Sequence, residues 1–299
     1  MTPAVLGAVF ALLTALTWST ASLFFTRSGK FYDPVPLSLM NCFIGIVLGG
    51  AVYLIFGGQF PRTATTTHIF VFALSGALGI GVADTLYFAS INDIGAGRAA
   101  IIETAYAPLA VLAAYLYLHE RLTVRDCVGL ALVLSGVVVV AFEARHEGRT
   151  EVTRRRALRG VLFGLGATVL FVVAIIGIRD LLPLYDVQWI AFVRMSGGLV
   201  ATAVICLLRP HWRAQIVGVM KPQTAWKFVI PAGVFGMFLS MQFWVAGFKY
   251  AKASIAAVLN QTSTLFIVIL AAAFLGERLT LMRAAALFLG FAGALLVIL

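Results

Sequence analysis

The stretch Glu120-Arg121-Leu122-Thr123 recurs as Glu277-Arg278-Leu279-Thr280, 157 residues further along the chain. Each copy closes one long apolar run and opens the next. Residues outside the two copies match at the same offset, as Gly136 does with Gly293. A recurrence at a fixed spacing is the sequence signature of an internal repeat. The chain is therefore predicted to be one structural unit written twice.

The composition indicates that the solvent of this chain is a lipid bilayer. Apolar residues make up 62% of the sequence and charged residues only 11%, which is outside the range of water-soluble domains. A membrane-spanning helix needs about 20 mostly apolar residues. Ten such runs are predicted, at residues 5–26, 34–56, 69–91, 95–118, 123–142, 160–179, 186–208, 225–250, 252–275 and 281–299. The predicted fold is an all-α integral membrane protein with ten transmembrane helices.

Five predicted spans fall in each half of the chain. Residues 1–142 form the first five-helix repeat, residues 143–159 a basic linker, and residues 160–299 the second five-helix repeat. Because five is odd, the second repeat starts on the opposite side of the membrane, so the repeats are inverted. Inverted repeats are typical of secondary transporters, in which they open a central site to one side and then to the other. A duplicated but non-transporting membrane scaffold is the alternative.

The basic residues predict the orientation of the chain. Of the 22 Lys and Arg residues, six are predicted on the side of the two termini and fifteen on the opposite side. Basic residues accumulate on the cytoplasmic side, so both termini are predicted outside and the 143–159 linker in the cytoplasm. The run Arg154-Arg155-Arg156 then lies against anionic lipid headgroups. Membrane lipids are the expected partners, and no nucleic acid is expected to bind.

Three ionisable residues lie well inside the predicted spans: Asp84, Glu103 and Arg194. A charge there is costly and usually faces a water-filled cavity or a partner. By helical rise, Asp84 and Glu103 lie roughly 10 to 12 Å from the cytoplasmic ends of their helices, and Arg194 lies roughly 12 Å from the outer end of its helix. The two acids thus share one level, and the arginine lies at another.

Superposing the repeats extends these levels into two polar layers. The inner layer is Asn41, Asp84 and Glu103, and the outer layer is Arg194, Gln242, Asn260 and Gln261. Roughly 8 Å remains between the layers in a core of about 30 Å. That spacing suits a small zwitterion, with its ammonium at the acids and its carboxylate at the arginine. A salt bridge between Arg194 and one acid, without a substrate role, is the alternative.

The same region has two further candidate roles. Withdrawing a carboxyl group from water favours its protonated form, so Glu103 and Asp84 are candidates for coupling transport to protons. Four aromatic residues share this level: Trp18, Tyr87, Tyr106 and Trp244. They could stack an aromatic group or hold a quaternary ammonium, or they could simply pack between helices. No metal site or cofactor is expected, because the histidines and cysteines lack the spacing of metal ligands.

Several motifs together resemble a known family. Leu16-Thr17-Trp18-Ser19-Thr20 in the first helix, and the Glu-Arg-Leu-Thr copies after the fourth and ninth helices, resemble the drug/metabolite transporter superfamily, specifically its EamA-type exporters. The resemblance implies a basket-like bundle around a central cavity, with the fifth and tenth helices more peripheral. Many members of that superfamily look as though both of their termini lie in the cytoplasm. This orientation is opposite to the one predicted here from the charges.

The predicted function is export of a small polar metabolite, such as an amino acid, by a secondary active transporter that is not an enzyme. Two other substrate classes stay open: cationic drugs or quaternary amines, and nucleotide sugars or organophosphates. A monomer in the bacterial inner membrane is expected.

Overall fold

The computed structural model describes residues 3–55, 61, 63–106, 154–219, 225–251, 253–277 and 279–298, with short stretches in between (108, 109, 112, 113, 124, 125, 127–129, 131, 132, 135, 136, 138 and 139). This part of the chain is helical, with short connections and no strand. Its helices are α1 (Pro3–Ser28), α2 (Pro34–Ile55), α3 (Thr66–Ile94), α4 (Ala96–Glu103), α5 (Arg154–Ile176), α6 (Val187–Leu207), α7 (Pro210–Val219), α8 (Trp226–Tyr250), α9 (Ala253–Leu275) and α10 (Leu281–Ile298).

Six of the described helices are long and apolar enough to cross a membrane: α1, α2, α3, α5, α6 and α8. Helices α9 and α10 contain shorter apolar stretches, Thr262–Leu275 and Leu281–Gly293. The predicted spans 95–118 and 123–142 are described only in part, so the number ten stays a prediction. Large apolar side chains cover the outer surface, and Leu54 and Ile55 are each 77% exposed. Such exposure is expected where lipid covers the protein.

Successive helices run in opposite directions, so their ends gather on two faces. We call the linker face the one where α1, α3 and α9 end and α5 begins. The terminal face is the one where α1 and α9 begin and α8 ends. At the linker face, Arg27 Nη2 donates a hydrogen bond to the Phe274 carbonyl at 3.0 Å. At the terminal face, Gly7 lies so close to Ala251 that a Cβ atom at position 7 would overlap the backbone of Ala251.

Two segments that lie between predicted spans are partly helical. Helix α5 begins at Arg154, so the end of the predicted 143–159 linker is helical. The first turns of α5 are held by Asp93 at the end of α3, whose carboxylate lies 3.1 Å from Arg156 Nε and 2.8 Å from Arg159 Nε. The segment between the predicted spans 186–208 and 225–250 contains the helix α7. Its Trp212 Nε1 donates a hydrogen bond to the Asp33 carboxylate at 3.1 Å.

The helices of the two predicted repeats pack mainly against each other. Helix α1 lies along α8 and α9, and α2 lies along α6 and α8. Helix α3 packs against α5 and α6, while α4 packs against α9 and α5. A space between the halves is therefore bordered by helices from both.

Helices α3 and α8 each contain a π-helical segment, at Ala77–Ala83 and Gly233–Ser240. The two segments correspond at the 157-residue offset of the repeated word, since Ala83 then matches Ser240. A π segment contains wider turns than an α-helix and often marks a functional site. Both segments border the cavity described below.

Glycine lets α3 and α6 touch backbone to backbone. A Cβ atom at Gly76 would overlap the carbonyl oxygen of Arg194, and one at Gly197 would overlap the carbonyl oxygen of Ala73. Small residues at such crossings allow close packing of membrane helices. At the repeat-related crossing of α2 and α8, Gly233 instead meets the side chain of Ile44. The crossing that carries Arg194 is therefore the tighter one.

Candidate functional site

A cavity of about 130 Å³ lies between the helices of the two halves. Its walls come from α1, α3, α4, α5, α6, α8 and α9. Seven of the eleven predicted substrate-binding residues line it: Trp18, Asp84, Glu103, Tyr106, Arg194, Trp244 and Asn260. Depths calculated from helical rise thus identified residues that are far apart in the chain but line the same cavity.

The other four predicted residues do not line this cavity among the described side chains. Asn41 is fully buried in α2, and neither atom of its amide has a hydrogen-bond partner. Tyr87 is buried behind Trp18, with the two ring centroids 5.8 Å apart. Gln242 lies on α8, where its Oε1 has no partner. The side chain of Gln261 lies outside the described part of the structure.

Arg194 is 4% exposed and is held from two sides. Its Nη1 donates a hydrogen bond to Ser75 Oγ, and Ser75 Oγ donates to the Ala174 carbonyl at 2.6 Å. The guanidinium carbon lies 5.2 Å from the ring centroid of Trp244, within the range of a cation–π contact. The Nε atom has no partner, and Nη2 lies beside Gly79. Nη1 is therefore engaged, while the edge formed by Nε and Nη2 has no acceptor among the residues that the structure describes.

Glu103 and Asp84 form the acidic part of the site. Asp84 begins the α-helical part of α3 directly after the π segment and is 4% exposed. Glu103 is the last residue of α4 and faces the indole of Trp18 and the hydroxyl of Tyr87. By hydrogen-bond geometry, however, Glu103 Oε2, Trp18 Nε1 and Tyr87 Oη all lack a partner. These polar groups lie close to one another but form no hydrogen bonds with one another.

The described residues form no ion pair between Arg194 and either acid, since no carboxylate oxygen lies within 4.0 Å of its guanidinium. The alternative of a salt bridge that only pins helices together is therefore absent from this conformation. The unpaired buried atoms concentrate at the predicted layers: they include Asn260 Oδ1 together with those of Glu103 and Arg194. Buried polar atoms are normally hydrogen-bonded, so this cluster indicates a place for a polar ligand or water.

Several lining residues were missed by sequence reasoning, among them Phe171, Ser240 and Ser263. The repeat contained the signal for two of them. Ser263 matches Tyr106 at the 157-residue offset, and Phe171 matches Trp18 at an offset of 153. Both members of each pair line the cavity, so applying the repeat to Tyr106 and Trp18 would have found Ser263 and Phe171.

Comparison with known proteins identifies the family. The profile of the EamA-like transporter family matches residues 5–142 and again residues 158–299. The chain belongs to the EamA-like transporter family. This match confirms the resemblance inferred from the repeated word. The family profile matches the chain twice, as expected for two repeats. EamA-like proteins are transporters and not enzymes, and together with the apolar helices this identifies a multi-pass integral membrane protein.

Individual relatives of this EamA-like protein are distant. It is 24% identical over 139 residues to the uncharacterized transporter YoaV of Bacillus subtilis (strain 168), in an alignment that covers 46% of this chain and 48% of YoaV. The match thus spans about half the length of that relative. A solved crystal structure of another protein is similar over 97% of this chain and 94% of its own, with a TM-score of 0.68 and 18% identity. That similarity shows a shared fold.

Proposed function

We propose that this protein is a secondary active transporter that exports a small zwitterionic metabolite, such as an amino acid. Its two halves act as inverted five-helix repeats, ten helices in all, that expose the central cavity alternately to the two sides of the membrane. The charge distribution supports placing the linker face in the cytoplasm and the termini outside. The family and its relative in a bacterium support a place in the bacterial inner membrane.

The observation that carries the proposal is that the edge of Arg194 formed by Nε and Nη2 lies on the same cavity as the carboxyl groups of Asp84 and Glu103. Adjacent Nε and Nη2 groups bind a carboxylate through two parallel hydrogen bonds. Nη2 lies beside Gly79, and Asp84 follows five residues further along α3, roughly 7 Å by helical rise. A small zwitterion therefore has a hydrogen-bond donor edge for its carboxylate at one end and carboxyl groups for its ammonium at the other.

Glu103 supports a coupling to protons. It is a carboxyl group at the cavity whose Oε2 has no hydrogen-bond partner. A carboxyl group in a poorly hydrated site takes up a proton more readily than one in water. In the proposed cycle, Glu103, with Asp84 beside it, binds either the substrate ammonium or a proton, so that one moves against the other.

A quaternary or drug-like cation is the second candidate substrate. The stacked rings of Trp18 and Tyr87 lie next to Glu103, an arrangement that attracts an organic cation through both the ring faces and the carboxylate. Such a substrate would not use Arg194. Nucleotide sugars and organophosphates are less favoured, because Arg194 is the one cationic residue among the described residues that line this cavity.

Counterflow in proteoliposomes tests the proposal. Purified protein is reconstituted into liposomes that are loaded with an unlabelled mixture of amino acids. Single labelled compounds are then added outside: a neutral amino acid, the amine that lacks its carboxylate, or choline. Exchange of the amino acid well above that of the amine is expected, and Arg194→Leu should abolish the difference. Arg179→Leu, an exposed arginine at the terminal face, is the control.

Three outcomes of that experiment contradict the proposal. If only choline or the amine were exchanged, the site would be one for organic cations. Equal exchange of amino acid and amine in both wild type and Arg194→Leu would remove the role of the guanidinium. An absence of any exchange would favour a non-transporting scaffold.

A further inference from the structure

The second copy of the repeated word contacts the first half of the chain at the linker face. Glu277 Oε1 accepts a hydrogen bond from the Ala96 N–H at 2.9 Å, and Glu277 Oε2 accepts one from the Gly97 N–H at 3.2 Å. These two groups are the first amides of α4. The carboxylate of one half therefore caps a helix of the other half.

Helix α4 depends on this cap, because Gly95 at its start offers no side chain to cap it. The first amides of a helix lack partners within the helix and carry partial positive charge. Gly95 and Gly97 also make room for the carboxylate: a Cβ atom at position 95 would lie 2.8 Å from Glu277 Oε1, and one at position 97 would lie 2.9 Å from Oε2. The segment Gly95-Ala96-Gly97 is thus shaped to receive Glu277.

Glu277 is itself held at a fixed place. Gly276, with a φ of +70°, ends α9, and the Glu277 N–H bonds to the Ala271 carbonyl at 3.2 Å. Arg283 Nη1 lies 3.3 Å from Glu277 Oε2. Thr280 at the end of the same word caps α10, since its Oγ1 accepts a hydrogen bond from the Arg283 N–H at 3.1 Å. The word therefore builds both a helix cap and a contact between halves.

The contact lies between the cavity and the linker face. Glu103 lines the cavity at the last position of α4, and Glu277 binds the first position, roughly 10 Å away along the helix axis. The residues between them are packed, with Ala99, Ala100 and Ile101 each 0% exposed. Along α4, the space between Glu103 and Glu277 is therefore filled by packed side chains.

We infer that Glu277 is the latch of the linker face: its bonds to the Ala96 and Gly97 amides hold α4 against α9, and their release opens the cavity to that face. The inference rests on the alternating exposure in the proposed function but not on the identity of the substrate. Because α4 carries Glu103 at its other end, release of the latch also moves a cavity residue. Glu277 acts through α4 and is a positioning residue.

Cysteine accessibility without any substrate tests the latch. Ser263 on the cavity wall is changed to cysteine in a protein whose Cys42, Cys127 and Cys206 are replaced by alanine. A small membrane-impermeant methanethiosulfonate is then applied from one side of oriented vesicles. Glu277→Gln keeps an acceptor for Ala96 but places an NH₂ group where the Gly97 N–H needs an oxygen. Labelling from the linker face should rise roughly tenfold, because losing one charge-assisted hydrogen bond shifts the equilibrium toward the open state by about that factor. Labelling from the terminal face should fall.

A second variant approaches the same contact from its other side. Ala96→Pro removes the amide that Glu277 Oε1 accepts from, at the first helical position, where proline is tolerated. It should raise linker-face labelling like Glu277→Gln, and the double variant should add little to either. Glu120→Gln changes the same word in the first copy, which is predicted at the opposite face, and should not raise linker-face labelling.

Each result decides the inference. Unchanged labelling in a folded Glu277→Gln protein would overturn it, as would an equal rise in Glu120→Gln or additive effects of Glu277→Gln and Ala96→Pro. Because no substrate is present, failure of the latch leaves the proposed substrate untouched, and a counterflow result that assigns a different substrate leaves the latch untouched.

Discussion

Gly76 lies directly against the carbonyl oxygen of Arg194, while its neighbour Ser75 binds the guanidinium of the same arginine. Two consecutive residues of α3 thus hold both the backbone and the side chain of the arginine on α6. The arginine proposed to bind the substrate carboxylate is therefore placed by the other half of the molecule. Any movement of α3 relative to α6 would change its position.

Gly76→Ala should impair both the fold and the site. The added methyl group would overlap the Arg194 carbonyl, and overpacking of this kind costs about 1–3 kcal/mol. The melting temperature in detergent should fall, and amino acid counterflow should fall with it. Gly166→Ala is a matched control, because a Cβ atom there meets only Leu86 Cδ1 at 3.6 Å. Equal melting temperatures for the two variants would contradict the close crossing.

Ser75→Ala should weaken carboxylate binding more than it weakens the fold. Without the hydroxyl, Arg194 Nη1 loses its partner and the guanidinium is free to turn. A loss of about 1.4 kcal/mol, roughly tenfold in the half-saturating concentration of a labelled amino acid, is expected. Ser196→Ala is the control, since Ser196 Oγ bonds to the Phe192 carbonyl of its own helix at 2.9 Å. The idea fails if both serine variants change half-saturation equally.

Glu103→Gln should make transport insensitive to pH. Glutamine matches the size of glutamate but does not exchange a proton, so a rate that depends on Glu103 protonation becomes flat across pH. Initial rates measured from pH 5 to pH 9, on the order of the range over which carboxyl groups in unusual environments titrate, provide the readout. Asp180→Asn, at an exposed position in the turn before α6, should keep the wild-type profile. A wild-type profile in Glu103→Gln would exclude Glu103 as the coupling group.

Trp244→Leu should reduce affinity by removing the ring over which Arg194 lies. A desolvated cation–π contact contributes about 1–2 kcal/mol, hence a weakening of roughly five- to thirtyfold is expected. Binding is measured as the thermal shift produced by the amino acid that the wild type exchanges best. Trp226→Leu, at the other end of α8, should keep wild-type binding. An unchanged thermal shift in Trp244→Leu would show that the ring does not orient the arginine.

Depth in the membrane could be predicted from the sequence, but direction around each helix could not. Counting residues from helix ends placed Asp84, Glu103 and Arg194 near a common space, because helical rise is constant. Asn41 and Gln242 have suitable depths but do not line the cavity. In a lipid-embedded bundle both the inward and the lipid-facing sides of a helix are apolar, so apolar periodicity gives little information on which side faces the centre.

The helix ends at the linker face show a similar limit. Apolar runs predicted the start of the second half at residue 160, whereas α5 begins at Arg154. Its first turn is polar, and it is stabilised by Asp93 from a segment far away in the sequence. Contacts of this kind depend on the tertiary fold, and no local pattern reports them. The two π segments were missed for the same reason.

Those π segments change the angular phase of the helices that contain them. An α-helix turns about 100° per residue, so accommodating one extra residue in a wider turn rotates everything beyond it by about that angle. Asp84 directly follows the π segment of α3, and Met241 directly follows that of α8. The direction in which each of these side chains points is therefore set by the π segment that precedes it. If residues 77–83 were wound as an α-helix with no residue removed, Asp84 would be rotated by about that angle and would point away from the cavity.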